Sequence, residues 1–419
     1  MSNFGYTVLG FGGGKNQTFT AVSESIPLGA RSDLFGGTYT NGLVADADPN
    51  TINKFIVGYA ETSWTTSPTN HCVVGTLGSD VVTYGTPASV GAKGNDWKDV
   101  KYTPHTAGKF VFAYTDADNS LYGTAVVGTV SGDSITYGTP VVFESGNTQY
   151  VSMDMDWNTT DKFVIGYRDM NDNSYGKAIV GTISGTSLSF GTAVTYSGSS
   201  AVGTHSSMIA YDRKTADKVL LAYQDVGNSN YGTAIVGTVS GTSISFGTAA
   251  VFDTQWTYTD HNCLTGDPFN ANKFFMHFSG DQTDNYPKMC VCTVSGTDVS
   301  FGTINTYESY AVTIYSIDAD TNTENKFVIA GKGTTVYAGN GVVYVASVDG
   351  TTMSIESGEH AYGGAQHNFN TSVCFDYDPS NAGKFSLTYS DQYSDGVDPP
   401  AGSLGAGYAG QIASQTPDP

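Results

Sequence analysis

The sequence is poor in basic residues and in cysteine. Lysine and arginine total 18 against 39 acidic residues, so the formal net charge is −21. A chain of this charge repels phosphate backbones and anionic membrane surfaces, which argues against nucleic-acid binding. Five cysteines in 419 residues, an odd number, argue against a disulfide framework. The composition therefore predicts an acidic protein that folds in a reducing cytoplasm.

Long apolar runs are also missing. The first residues, MSNFGYTVLGFGGGK, have no basic start and no long apolar core, and no later run reaches the length of a bilayer span. The sequence thus predicts neither Sec export nor membrane insertion. Sustained helical periodicity is absent as well. What is abundant instead is glycine, 51 residues, together with Thr, Ser, Val and Tyr, which is typical of short strands joined by tight turns.

A Lys-Phe pair, or a close variant of it, recurs seven times and defines repeats 1 to 7. The lysines are Lys54, Lys109, Lys162, Lys218, Lys273, Lys326 and Lys384. Each repeat but the last contains four strand-like runs, strands a to d, and the lysine starts strand b. Four strands in each of seven repeats predict a seven-bladed β-propeller of four-stranded blades over residues 39–412.

The last repeat has no strand d, because only the tail 413–419 follows its strand c. Residues 4–12, FGYTVLGFG, resemble strands d such as FGTAVTYSG. We therefore predict that residues 1–12 form the outer strand of the last blade and close the ring, which would cover a bare sheet edge. Residues 13–38 fit no repeat and are predicted to be an insertion or docking arm.

Two positions recur for structural reasons. An Asp lies six residues before the lysine in six repeats, as at Asp156, and predicts an Asx turn between strands a and b.

Strand c carries a small residue at one place in every repeat. Because glycine weakens a strand, this position predicts close approach of another backbone or blade. The small residues are Gly75, Gly128, Gly181, Gly237, Cys292, Ala346 and Gly410.

The hairpins between strands b and c are acidic and supply the candidate ligand-binding residues. These are Asp116, Asp118, Asp169, Asn171, Asp172, Asp225, Asp281 and Asp284. The stretch DMNDNSYG places oxygen ligands at alternate positions, as calcium loops do, but lacks the distal bidentate Glu of an EF-hand. Calcium binding and ordinary solvated Asx turns therefore both stay open. No other cofactor, no further metal site and no catalytic residue are predicted.

Sialidase-like enzymes share this strand pattern, so we consider whether the chain is a glycosidase. Such enzymes hold a carboxylate with several converging arginines, whereas this chain has only Arg31, Arg168 and Arg213. Arg168 ends a strand b, and Arg213 lies in an a–b turn at the opposite face. The Asp-box pattern is also absent. A lectin or glycoside hydrolase that uses the acidic hairpins remains the alternative function.

The strings KFVIGYRD and YGTAIVGTVSGTSISFGT resemble a tandem repeat of structural and tail-fibre-like proteins from marine tailed phages. The resemblance covers residues 40–412. It implies a non-enzymatic virion component, such as a tail fibre, capsid decoration or host-attachment module. Its partners would be other virion subunits and host cell-surface glycans, and its location the virion. The resemblance supplies no catalytic residues.

Overall fold

The computed structural model describes an all-β chain. Between Val226 and Asn228 lies a single 3-10 turn, and the described residues contain no α-helix and no helix able to cross a membrane. The all-β prediction is confirmed. The structure describes residues 32–33, 39–63, 66–79, 81–94, 97–198, 202–203, 207–259, 263–280, 286–333, 341–362, 367–375, 377, 383–391 and 404–411.

The strands follow the repeats along the chain. Up to the end of repeat 3 they are β1 (Ser32–Asp33), β2 (Tyr39–Ala47), β3 (Lys54–Ser63), β4 (Thr66–Leu77), β5 (Val82–Tyr84), β6 (Ala88–Lys93), β7 (Lys98–Tyr102), β8 (Lys109–Asp116), β9 (Tyr122–Ser131), β10 (Ser134–Tyr137), β11 (Val141–Met155), β12 (Lys162–Asp169), β13 (Tyr175–Ser184), β14 (Ser187–Phe190) and β15 (Val194–Thr195).

Repeats 4 to 7 continue in the same order. Their strands are β16 (Met208–Tyr211), β17 (Lys218–Asp225), β18 (Tyr231–Ser240), β19 (Ser243–Phe246), β20 (Ala250–Tyr258), β21 (Leu264–Gly266), β22 (Lys273–Gly280), β23 (Tyr286–Ser295), β24 (Asp298–Phe301), β25 (Asn305–Thr306), β26 (Val312–Ala319), β27 (Lys326–Gly333), β28 (Gly341–Asp349), β29 (Thr352–Tyr362), β30 (His367–Phe375), β31 (Lys384–Asp391) and β32 (Leu404–Gln411).

Within a repeat the strands pair as an antiparallel meander. In repeat 3, for example, β11 pairs with β12, β12 with β13, and β13 with β14. Strand β11 also joins two repeats, because its first half pairs with β9 of repeat 2 and its second half with β12. The outer strand of one repeat thus runs directly into the inner strand of the next.

The backbone explains why the lysine motif recurs. The residue just before each lysine has a left-handed φ, for example 59° at Asn53, 58° at Asp161 and 78° at Gly383. Asn, Asp and Gly tolerate this conformation best. The turn from strand a therefore ends at one of these residues, and the lysine begins strand b.

The small residue of strand c lies opposite the residue after the lysine, which is Phe in six repeats and Val in repeat 4. A Cβ on Gly75, Gly128 or Gly181 would lie under 3.0 Å from the ring of Phe55, Phe110 or Phe163. Opposite residues of an antiparallel pair share one sheet face, so a large ring needs a small partner. The close neighbour in these repeats is therefore a side chain of the same sheet, whereas the sequence led us to expect another backbone or blade. The other pairs are Gly237 with Val219, Cys292 with Phe274, Ala346 with Phe327 and Gly410 with Phe385.

Another glycine does meet a neighbouring backbone. The Gly of the Phe-Gly-Thr or Tyr-Gly-Thr motif after strand d packs against a carbonyl oxygen in the c–d turn of the next repeat. A Cβ there would lie under 3.0 Å from that oxygen. This contact holds the outer edges of successive sheets together. The pairs are Gly85 with Asp133, Gly138 with Thr186, Gly191 with Thr242, Gly247 with Thr297 and Gly302 with Thr351.

The repeated Asp of the a–b turn makes the predicted Asx turn and also links repeats. One oxygen of Asp156 accepts hydrogen bonds from the backbone N–H groups of Asn158 at 2.9 Å and Thr159 at 3.1 Å. Its other oxygen accepts from the N–H of Asp217 in the next repeat at 3.2 Å. Asp48 binds the N–H of Gly108 in the same way, at 2.8 Å.

The predicted closing strand, residues 1–12, and the tail 413–419 lie outside the described residues. Strand β1 belongs to the segment 13–38 that we assigned to an insertion. It pairs antiparallel with β32, at the outer edge of the repeat 7 sheet, with Ser32 opposite Gly407 and Asp33 opposite Ala406.

Candidate functional site

The acidic hairpin of repeat 2 is tied to a lysine of the preceding link. One oxygen of Asp116 accepts from the N–H of Asp118 at 3.0 Å, and burial raises the pKa of Asp116. Asp118 accepts from the N–H of Lys93 at 3.0 Å and pairs with its ammonium at 3.0 Å. These hydrogen bonds from Lys93 lower the pKa of Asp118. Both carboxylates of this hairpin are thus engaged.

The hairpin of repeat 3 gathers its acidic groups around Lys177. Asp169 is buried, and its oxygens accept from the N–H of Asn171 at 2.9 Å and from the Lys177 ammonium at 2.7 Å. Asp172 pairs with the same ammonium at 2.9 Å. Burial opposes the charge of Lys177, but the hydrogen bonds to both carboxylates raise its pKa. The ammonium therefore lies where the loop oxygens converge.

Replacing Lys177 with Met should lower the free energy of unfolding by about 2 kcal/mol, because it leaves the buried Asp169 carboxylate without its cation. Denaturant unfolding measures the change. Calcium chloride should leave the melting temperature of the wild-type protein unchanged, since Lys177 neutralises this loop. If calcium chloride raised the melting temperature of the wild type as much as that of the Lys177→Met variant, this role of Lys177 would be contradicted.

The remaining predicted residues stay apart. Asp225 precedes the 3-10 turn of repeat 4 and forms an isolated bridge with Val202, and its Oδ1 is buried without a hydrogen-bond partner. Asp281 and Asp284 lie outside the described residues. Among the residues that the structure describes, no three His, Cys, Asp or Glu side chains are grouped to hold a metal ion.

The structure brings together an aromatic group that we did not select from the sequence. The rings of Trp97 and Tyr150 lie 5.4 Å apart at 58°, and the Arg168 guanidinium lies 5.9 Å from the Tyr150 ring centre. All three are half-buried. They lie at the end of the sheets that carries the b–c hairpins, which we call the loop face. Arg168 donates to the carbonyl oxygen of Gly203 at 3.4 Å. We call Trp97, Tyr150 and Arg168 the aromatic site.

Tyr150 has a strained backbone. Its φ is 53°, and it lies in a bulge where the pairing of β11 with β12 shifts between Gln149 and Ser152. Repeat 1 has a bulge at the equivalent place, with Gly42 at φ 61°. A left-handed backbone costs a non-glycine residue roughly 1–2 kcal/mol, and bulges often redirect side chains near functional sites. Tyr150 keeps a side chain where glycine would be less strained.

Strands a, the inner strands of the sheets, enclose a charged cavity at their end away from the loop face. Its volume is about 40 Å³, enough for about three water molecules. Residues from strand a of every repeat line it. Three of its aspartates each accept a hydrogen bond from the backbone N–H of a strand a in the following repeat. These bonds join Asp46 to Tyr102 at 2.7 Å, Asp154 to Tyr211 at 2.6 Å and Asp318 to Phe375 at 2.9 Å.

Two cations balance part of this charge. Arg213 approaches Asp318 at 3.4 Å and lies 4.8 Å from the ring of Trp157, while Lys101 also lines the cavity. Burial raises the pKa of Asp46 to about 7 against the opposing effect of Lys101. Arg213 contacts Asp318 and Trp157, whereas Arg168 contacts Tyr150. The two arginines lie at opposite ends of the sheets, as the sequence predicted. The cavity is far smaller than the roughly 300 Å³ of a ligand pocket.

No protein-family model and no curated protein matches this chain. Among solved structures it is similar to the BP39L lectin from Burkholderia pseudomallei, at 10% identity over 90% of this chain and 99% of the lectin, with a TM-score of 0.60. It is also similar to Sqt1 from Chaetomium thermophilum, solved bound to the N-terminus of ribosomal protein L10. There the identity is 10% over 88% of this chain and 86% of Sqt1, with a TM-score of 0.51.

The GH93 α-L-arabinofuranosidase of Fusarium graminearum reaches a TM-score of 0.43 at 10% identity over 73% of this chain and 93% of the enzyme. This value is too low to support an argument. At such identities the likenesses show the fold alone, which is an all-β, propeller-like architecture.

Proposed function

We propose that the chain is a closed seven-bladed β-propeller that binds carbohydrate at the aromatic site without cleaving it. The closed ring is supported by contacts between repeats 7 and 1. The N–H of Ala45 donates to the Ser372 hydroxyl at 3.0 Å, which joins the first inner strand to the last. The cavity lined by all seven inner strands supports the same arrangement.

A second contact between repeats 7 and 1 resembles one between repeats 3 and 4. The ammonium of Lys162 bonds the side chain of Asp217, which is the residue before the next repeat's lysine, at 3.2 Å. Lys384 of repeat 7 bonds Asn53 of repeat 1 at 3.2 Å in the same manner. This likeness supports a ring in which repeat 1 packs beside repeat 7.

The strained Tyr150 carries the proposal of carbohydrate binding. Strained residues cluster at functional sites, and the Tyr150 ring lies beside Trp97 on the loop face. The C–H face of a sugar ring packs on aromatic rings, while its hydroxyls bond to charged and polar groups. Arg168 and the acidic residue Asp116 lie on the same face and supply such groups.

The surroundings of the carboxylates support binding without hydrolysis. A glycoside hydrolase needs two carboxyl groups that flank one glycosidic bond. The oxygens of Asp118 are held by the N–H and ammonium of Lys93 in the preceding link, and those of Asp169 by Lys177 and the N–H of Asn171. Asp46, Asp154 and Asp318 surround a cavity with room only for water.

Glycan-array binding tests the proposal with Tyr150→Gly and Trp97→Ala. Each variant should bind its best glycan at least about tenfold more weakly, a loss of about 1.4 kcal/mol. Tyr150→Gly should also keep its unfolding free energy within about 1 kcal/mol, because glycine fits the left-handed backbone. Phe269→Ala is the matched control, since Phe269 is 38% exposed in an a–b turn at the opposite end.

Equal binding by the wild type and both variants would contradict the aromatic site, and release of reducing sugar from a bound glycan would contradict a purely binding role. The virion location inferred from the phage resemblance stays a prediction. Glycan binding is compatible with the host-attachment form of that role.

A further inference from the structure

The arginine of the aromatic site carries a charge that no described carboxylate balances. The structure describes one other arginine, Arg213, which pairs with Asp318 at 3.4 Å. Within the described part of the chain Arg168 forms no ion pair. A hydrogen bond of 3.4 Å to the Gly203 carbonyl holds its guanidinium, and its Nε is buried without a partner. Because charges away from water are costly unless they are paired, this arginine calls for an anionic partner.

The nearest carboxylate in the sequence is engaged by a lysine. Asp169 follows Arg168 in β12, and successive side chains of a strand point to opposite faces of the sheet. On its own face Asp169 lies 2.7 Å from the Lys177 ammonium, which also pairs with Asp172 at 2.9 Å. The acidic hairpin of repeat 3 therefore uses Lys177, and Arg168 stays available for an anionic group from outside the chain.

The guanidinium of Arg168 also has hydrogen-bond donors to spare. It carries five N–H donors, and the described residues accept from one of its nitrogens, Nη1. A carboxylate or a sulfate presents two or more oxygens to such donors at once, and these charge-assisted hydrogen bonds are among the strongest that arginine forms. Sugar hydroxyls are neutral, so they would leave the charge of Arg168 unbalanced.

Arg168 lies within reach of a sugar that packs on the aromatic rings. Its guanidinium is 5.9 Å from the centre of the Tyr150 ring, and that ring is 5.4 Å from the ring of Trp97. Burial raises the pKa of Tyr150, and the nearby charge of Arg168 opposes this rise. A charged substituent at the edge of a sugar ring that stacks on Tyr150 would therefore meet the guanidinium.

We propose that the aromatic site takes an acidic saccharide, whose carboxylate or sulfate group binds Arg168 while its sugar ring packs on Tyr150 and Trp97. This inference rests on the carbohydrate binding proposed above and names the class of sugar. The formal net charge of −21 repels acidic glycans from the rest of the surface. Binding of such a glycan thus depends on this one arginine, which sets the selectivity of the site.

An array of paired glycans tests the proposal. Uronic-acid and sialylated glycans are printed beside their carboxyl-reduced forms, and sulfated glycans beside their desulfated forms, so that the array also identifies the anionic group. The wild-type protein should bind the acidic member of its best pair at least about tenfold more tightly than the neutral member. Arg168→Gln should bind both members equally, because glutamine still donates a hydrogen bond but carries no charge.

Lys214→Gln is the matched control, since it removes one positive charge from an exposed position in an a–b turn at the opposite end of the sheets. It should keep the wild-type preference for the acidic member. An Arg168→Gln variant that keeps this preference would overturn the proposal. Equal or tighter binding of the neutral members by the wild type would do the same, and this comparison needs no variant to fold.

Tyr150→Gly separates a failure of this inference from a failure of the proposed function. If that variant loses binding while the wild type binds acidic and neutral members equally, the carbohydrate site stands and its selectivity for acidic sugars is wrong. If the wild type binds no glycan on the array, or if Tyr150→Gly and Trp97→Ala bind as the wild type does, the proposed function is contradicted and this inference with it.

Discussion

Gly191→Ala should lower the free energy of unfolding by about 3 kcal/mol, even though it adds only one methyl group. The Cβ would lie under 3.0 Å from the carbonyl oxygen of Thr242, in the c–d turn of the next repeat. Because that oxygen belongs to the backbone, it cannot rotate away, and two sheets must separate to relieve the overlap. Overpacking of this kind typically costs about 1–3 kcal/mol. The midpoint and slope of denaturant unfolding measure the loss.

Gly166→Ala is the matched control, because Gly166 lies in strand β12 of the same sheet and a Cβ there would meet Leu221 at an ordinary 3.7 Å. Its stability should change by less than about 1 kcal/mol, or rise, since alanine reduces the entropy of the unfolded chain. Gly138→Ala should behave like Gly191→Ala because it faces Thr186 in the same way. Equal unfolding midpoints for all three variants would show that the recurring glycine does not hold the repeats together.

Raising the pH from about 4 to about 7 should destabilise the protein through the inner-strand cavity. Burial raises the pKa of Asp46 to about 7, from an ordinary value of 3.8. The folded protein therefore holds this proton more tightly than the unfolded chain does. The stabilisation is full below pH 3.8 and is lost as the pH rises through 7. A shift of this size corresponds to as much as about 4 kcal/mol.

Asp46→Asn should flatten this part of the stability profile. The amide oxygen can still accept the hydrogen bond from the N–H of Tyr102, so the link between repeats 1 and 2 is kept. Asp154 retains some slope, because burial raises its pKa as well. Asp118→Asn is the control at an exposed site, where hydrogen bonds from Lys93 lower the pKa and the effect is small and opposite in sign. An unchanged slope for Asp46→Asn would exclude Asp46 as the group responsible.

The sequence predicts much of the local structure. The seven lysine motifs, the Asx turns and the strands follow from residue types at fixed spacing, because a turn or a strand depends on neighbours close in sequence. The hairpin acids were found in the same way. Their binding partners were not, since Lys177 lies on the following strand and its pairing with Asp169 depends on the register of β12 and β13.

The aromatic site had one signal that could have revealed it. Trp97 and Tyr150 each lie six residues before the a–b turn position of their repeats, at Thr103 and Asp156, where repeat 1 has Gly42. A comparison of this position across the repeats identifies two large aromatic residues. Their contact with Arg168 could not have been predicted, because it depends on the bulge that turns Tyr150 into a left-handed conformation.

The sequence by itself determined that this protein is an acidic, all-β protein in which the Lys-Phe motif or its variant recurs seven times. Such features depend on composition and on periodic positions within each unit. Only the tertiary structure decided which groups meet across repeats: the glycines after strand d against the next turn, the aspartates around the inner cavity, and Ser32 beside Gly407. Those contacts join residues far apart in sequence, and their positions are set by how the sheets pack rather than by any local pattern.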